Sequence, residues 1–120
     1  MAAQIVTVTE KTHGNVKLIK WAWTSATGGT VSQATTASFD GKLLTLVTDP
    51  GATAPDPNYD VTILDSNSLD VLVGAGANRH TSTTELVNQA TLGAVAGSTL
   101  TLTIANAGDE KTGDVYLYIR

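Results

Sequence analysis

The chain contains no cysteine, which excludes thiolate metal centres and disulfide scaffolds and says little about compartment. Charge is scarce as well. Only 15% of the residues are charged, against about 25% in ordinary soluble domains. Eleven acids outweigh seven bases for a formal net charge of −4, and no run of Lys or Arg occurs. A surface that tracks phosphates needs such a run, so no nucleic-acid partner is expected. No stretch approaches the roughly 18 apolar residues of a membrane-spanning helix, and no membrane partner is expected either. Residues 1–10 lack the basic region and apolar stretch of a secretory signal, which points to synthesis in the cytosol.

With 120 residues, the chain reads as one domain, 1–120. A domain of this size buries about two-thirds of its unfolded surface, enough for a core without staples. The 42% apolar content agrees. With so little charge, the surface must be built from Thr, Ser, Asn, Gly and Ala. That suits a protein in lasting contact with neighbours, and it suits secreted β-modules equally.

Period-two alternation in short runs is the dominant pattern, and it marks half-buried strands. Residues 4–10 set Val6 and Val8 against Thr7 and Thr9. After a turn at His13-Gly14-Asn15, residues 16–24 set Ile19, Trp21 and Trp23 against Val16, Leu18, Lys20 and Ala22. Thr27-Gly28-Gly29 breaks the chain, and residues 30–39 form a weakly apolar strand. Asp40-Gly41 predicts a hairpin turn. Beyond it, residues 42–48 place Leu44 and Leu46 on one face, with Leu43 and Val47 on the other.

All three prolines fall within residues 49–58, an ordered loop or crossover. Strands follow at 59–65, with Tyr59, Val61 and Ile63 on one face, and at 69–73 after the Asp65-Ser66-Asn67-Ser68 turn. Gly74-Ala75-Gly76-Ala77-Asn78 is irregular. Residues 81–93 carry the Ser82/Glu85 spacing of a helix cap but read better as extended. Residues 100–106 and 114–120 close the pattern, the last with Val115, Leu117 and Ile119 facing away from Tyr116 and Tyr118. Seven or eight strands without a long helix predict an all-β, single-domain β-sandwich, jelly-roll-like or immunoglobulin-like.

Catalytic constellations are missing from this pattern. Nucleophilic catalysis needs a hydroxyl beside a His held by a carboxylate. The two histidines, His13 and His80, sit in turn-like, polar surroundings. Two scattered histidines do not make a zinc site. Asp65, Asn67 and Asp70, with Asp56 and Asp60 nearby, offer oxygen ligands for calcium, yet Asp-Ser-Asn-Ser is also what a β-turn prefers. Gly74-Ala75-Gly76-Ala77 lacks the helix and Lys of a phosphate loop. No enzyme, metal or cofactor is expected. The residues suited to protein contact are Trp21, Trp23, Tyr59, Arg79, Tyr116 and Tyr118, because aromatic and Arg side chains anchor interfaces. For Trp21 and Trp23, core and exposed interface remain open readings.

Residues 58–65 (Asn-Tyr-Asp-Val-Thr-Ile-Leu-Asp), with Asp70-Val71-Leu72 and Gly74-Ala75-Gly76-Ala77-Asn78-Arg79, resemble a family of small virion structural proteins of tailed bacteriophages. The resemblance extends to Gly41-Lys42-Leu43-Leu44, Leu100-Thr101-Leu102-Thr103, Ala105-Asn106-Ala107-Gly108 and Tyr118-Ile119-Arg120, and so covers most of the chain. It implies a capsid decoration (cement) protein on the capsid exterior, made in the host cytoplasm. The implied partner is the major capsid protein, contacted by a homo-oligomer, commonly a trimer, that bridges subunits. A head-to-tail connector or tail component, and a receptor- or carbohydrate-binding sandwich, are the alternatives. Residues 1–4 are a candidate arm that orders on binding.

Overall fold

Alternate residues go inward along nearly every extended run, and the strands follow from that. In a computed structural model, which describes residues 3–120, the strands are β1 (Ile5–His13), β2 (Val16–Thr24), β3 (Val31–Ala34), β4 (Phe39–Pro50), β5 (Asp60–Leu64), β6 (Glu85–Asn88), β7 (Ala94–Ser98), β8 (Thr101–Ala105) and β9 (Thr112–Ile119). A short 3-10 turn, Gln89–Thr91, separates β6 from β7. The larger sheet has the order β1-β2-β9-β4-β6, with β7 also on β4; the smaller is β3-β8-β5.

Every pairing is antiparallel, and the pairs are nested: β2 with β9, β3 with β8, β4 with β7. At the innermost level β5 meets the irregular residues 70–79. There the Val71 amide donates to the Ile63 carbonyl (2.8 Å), Val61 to Gly76 (2.8 Å) and Arg79 to Tyr59 (2.7 Å). A long antiparallel ribbon folded across two facing sheets in this way is a jelly roll. Topology therefore decides between the two sandwiches that strand pattern left open.

The two sheets close on one core. Ile19, Trp21, Leu43, Leu46, Val61, Ile63, Leu102, Ile104, Val115, Leu117 and Ile119 are fully buried, and Val6 and Val8 pack against them from β1. Edges are managed with side chains. The Gln4 amide accepts from the Ser32 N–H (2.8 Å) and donates to the Ser32 carbonyl (2.7 Å), which mimics a ladder pair and caps the open edge of β3. Glu10 accepts from the Thr36 and Ala37 amides (3.0 and 3.2 Å). Gln4 is thereby part of the fold; Met1 and Ala2 of the expected arm lie outside the described residues.

Several expectations are corrected here. Asp40-Gly41 makes no hairpin, because the positive φ of Gly41 (132°) serves a bulge inside β4. The Asp40 carboxylate accepts from the Gly97 amide of β7 across that bulge. A second shift between Leu43 and Thr45 breaks the alternation, so Leu43 and Leu46 both point inward while Leu44 and Val47 are half-buried. Residues 30–39 are no single strand: β3 ends at Ala34 and Phe39 opens β4. Residues 69–73 keep one bridge, Asp70 to Leu64, because Asp70 draws the following amides into turns. Within 81–93 the extended reading holds for β6; just beyond, β7 forms at Ala94–Ser98, which the sequence pattern does not mark.

Gly113 lets β9 pass beneath the Trp23 ring, since a Cβ there would stand 2.7 Å from Cζ2 and 2.9 Å from Cε2. Trp23 is held in the core and has little room to yield. Gly113→Ala is expected to cost about 1–3 kcal/mol, read as a lower urea midpoint at unchanged slope.

Candidate functional site

Three of the six contact residues expected from sequence are interior. Trp21 and Tyr59 are fully buried and Trp23 is 2% exposed, so none of them forms an exposed platform. Ile19, Trp21 and Trp23 share the inward face of β2, where their combined apolar area gains most from burial. Trp21 Nε1 donates to the Gln33 carbonyl of β3 (3.2 Å). The rings of Trp23 and Tyr59 meet at 5.9 Å with a 53° tilt, in the tilted range that aromatic pairs favour. Burial pushes the Tyr59 hydroxyl up to about 12, with the nearby Thr48 hydroxyl pulling against the rise. Tyr59 OH, Thr48 Oγ1 and Trp23 Nε1 are buried without a well-formed hydrogen bond among the described residues.

Arg79 is occupied internally: its guanidinium lies 3.7 Å from Glu85 and its side chain is only 14% exposed. His80 Nδ1 accepts from the Ser82 and Thr83 amides, both at 3.0 Å. His80 is thus the cap of its own turn. Three of the carboxylates considered for calcium, Asp60, Asp65 and Asp70, likewise accept from loop amides. Asp65 accepts from the Asn67 and Leu69 amides (2.9 and 3.1 Å). Asp70 accepts from Ile63, Leu72 and Gly74 (3.2, 3.0 and 3.0 Å), and Asp60 from the Asn78 amide and the Asn106 side chain. Among the described residues no three His, Asp or Glu side chains are grouped to hold a metal.

Tyr116 and Tyr118 do reach the surface. They stand half-buried on the outer face of β9, opposite the buried Val115, Leu117 and Ile119. Register assembles the rest of that face. One row runs Thr9, Lys20, Tyr116, Val47, Leu86; the next runs Lys11, Leu18, Tyr118, Thr45, Asn88. The Lys20 ammonium lies 5.4 Å from the Tyr116 ring centroid, a cation–π distance. Leu86, at 69%, is largely exposed.

The acids of this face stand at one end of the strands, one row from Lys20. There Asp49 and Asp114 are direct cross-strand partners, a like-charge pairing that repels. Burial raises the Asp114 carboxyl above its ordinary value; Lys20 opposes the rise and Asp49 adds to it. Beside this pair a shallow concavity of about 350 Å³ is lined by Ile5, Thr7, Ala22, Thr24, Thr112 and Asp114 among others. Lys11 lies in the Tyr118 row on the edge strand, and Arg120 follows β9 at the other end; both are exposed.

A second apolar surface lies on the turn beside β5. Leu69 and Val73 are 63% and 68% exposed, and Val73 has φ of +54°, a region a β-branched residue seldom enters. The sequence singles out Tyr116 and Tyr118 of the first surface, but not Leu86, Leu69 or Val73. Leu18 and Val47 were visible as the polar-side partners of core positions, but only register joins them with Leu86 and the tyrosines.

Tyr59→Phe is expected to leave stability unchanged or raise it by about 1 kcal/mol, since the hydroxyl lost has no good partner. The folded protein holds the Tyr59 proton up to about 12. Its contribution is therefore complete below the ordinary tyrosine value near 10 and is lost as pH rises toward 12. Urea titrations above that ordinary value should decline less steeply for Tyr59→Phe.

No family model matches the chain, and no curated protein matches it in sequence. Among solved structures it is similar to one titled "Structure of infectious bursal disease virus Gx strain", at 12% identity and a TM-score of 0.34. The match covers 98% of this chain and 32% of that one, so the chain spans about a third of the length of the protein it matches. A likeness that low assigns neither a family nor a role.

Proposed function

We propose that this chain is a non-enzymatic virion structural protein, a capsid decoration (cement) protein. It acts as a homo-oligomer on the capsid exterior, bridging and stabilising subunits of the major capsid protein. The observation that carries this reading is the presence of two separate apolar surfaces on one compact sandwich. The outer face of the larger sheet and the Leu69/Val73 turn lie on different parts of the molecule. A cement protein needs at least two surfaces, because bridging is simultaneous contact with more than one neighbour, and avidity then grows from individually weak contacts. The resemblance in residues 41–44, 58–65, 70–72, 74–79, 100–103, 105–108 and 118–120 supports the virion setting. Jelly rolls occur in capsid proteins and in lectins and cupins alike, so the fold by itself favours none of them.

Val73 gives a test that separates docking from folding. A left-handed backbone costs a β-branched residue about 1–2 kcal/mol, whereas Asn tolerates it. Val73→Asn is expected to match or exceed the parent in melting temperature. It should nevertheless bind at least tenfold more weakly to shells assembled from the cognate major capsid protein, measured by co-sedimentation. Parent protein that stays in the supernatant at all shell concentrations would overturn the proposal.

A further inference from the structure

We infer that β1 is an acceptor edge, to which one extended segment of a partner protein adds as a further strand of the larger sheet. The inference rests on the reading of the chain as a packing module and names the chemistry of one more contact.

The direction of the backbone groups carries it. In an antiparallel ladder each residue turns its N–H and C=O toward the same neighbour. Thr112 of β9 is bonded on the β4 side, where its carbonyl accepts from Gly51 (2.9 Å) and its amide donates to Thr53 (2.8 Å). The odd residues of β9 therefore face β2, and the unbroken register joins them to Lys17, Ile19, Trp21 and Trp23. The even residues of β2 are left for β1, where Thr24, Ala22, Lys20 and Leu18 meet Ile5, Thr7, Thr9 and Lys11. Val6, Val8, Glu10 and Thr12 then point their amides and carbonyls away from the sheet. None of these backbone groups has a partner among the described residues.

The remaining edges are closed or short. Gln4 pairs with Ser32 on β3, and Glu10 holds the Thr36 and Ala37 amides beyond it. Residues 70–79 lie along β5. β6 and β7 have only four and five residues, and the Gly97 amide of β7 is held by Asp40. β1 runs for nine residues without Gly, Pro or a bulge, and residues 5–9 are all uncharged and β-branched. A long, flat edge of that kind is a template for another strand.

The seam between the sheets selects the occupant. Gln4 and Glu10 reach β3 from β1, so both sheets end on the same side of the sandwich, one edge open and the other capped. A second copy set against β1 would bring its own capped β3 edge against this one, where the backbone groups are already taken. A single strand needs the open edge alone. Its main chain supplies the donors and acceptors, and its side chains alternate. Those beside Val6 and Val8, which pack on the core, are apolar; those beside Thr7 and Thr9 are polar.

The experiment reads the edge amide by amide. The probe is a synthetic peptide as long as β1, alternating valine and threonine between terminal lysines, and the readout is amide hydrogen exchange by NMR. With the peptide in excess, the Val6, Val8, Glu10 and Thr12 amides should exchange at least tenfold more slowly. The Thr7, Thr9 and Lys11 amides, already bonded to β2, should change less than twofold. Equal slowing of both sets, or of neither, overturns the inference. On shells assembled from the cognate major capsid protein, Val8→Pro removes one free amide and leaves the β2 ladder whole. It should co-sediment at least tenfold more weakly than the parent, with circular dichroism confirming the fold. Should it fail to fold, Thr12→Pro at its exposed position is the second variant, expected to weaken binding at least threefold. A folded proline variant that binds shells as the parent does overturns the partner segment and keeps the bridging role. A parent that shows the alternate-residue pattern yet ignores shells keeps the acceptor edge and removes that role.

Discussion

Two tryptophans hold the sandwich together. Both leave the larger sheet from β2, and each reaches a different edge of the smaller one. Trp21 hydrogen-bonds the Gln33 carbonyl on β3, and Trp23 packs on Tyr59 at the start of β5. The middle strand, β8, is left to fill the gap with Leu100, Leu102 and Ile104 around it, all fully buried. A three-stranded sheet pinned at both edges cannot slide on its partner without breaking one of these contacts. The spacing of two residues along β2, about 6.6 Å, thereby sets how the sheets are registered.

That arrangement has consequences for the surface. Residues on a strand alternate in direction, so sending Trp21 and Trp23 inward commits Leu18, Lys20 and Ala22 to the outside. The same holds on β9, where Val115, Leu117 and Ile119 go in and Tyr116 and Tyr118 go out. The outer face is therefore a by-product of the core, and its aromatic character sits one residue away from the tightest packing in the molecule. Other surfaces are closed deliberately. Gln4 and Glu10, both on the inward side of the edge strand, spend their side chains on amides beside β3, and this protects an edge that would otherwise invite another strand.

Polar groups in the loops are similarly committed. Asp60, Asp65, Asp70 and His80 each saturate backbone amides of a nearby turn, so residues that look like ligands in one dimension act as structural staples in three. The innermost ribbon, where residues 70–79 run along β5, shows the cost. Asp70 pulls Leu72 and Gly74 toward its own carboxylate, the ladder cannot continue, and Val73 is left in a left-handed conformation facing solvent. Strain that persists at an exposed apolar residue is held there by its surroundings.

Alternation by itself determined a good deal: an all-β chain, which residues share a face on β2, β5, β8 and β9, and the division of the last strand into an aliphatic row and a tyrosine row. Those features depend only on the two-residue period of a strand, which neighbours cannot alter without exposing core. Tertiary structure decided what depends on pairing across distance. A Gly at Asp40-Gly41 serves a turn or a bulge with equal ease, and the strand β7 lying beside it made it a bulge. Whether Trp21 and Trp23 face a core or a ligand turns on what stands opposite, and β3 and Tyr59 stand there. The nested order of the strands, the meeting of Asp49 with Asp114 and the joining of Leu18, Val47 and Leu86 into one face all come from register between segments as much as about 100 residues apart, which no local pattern can record.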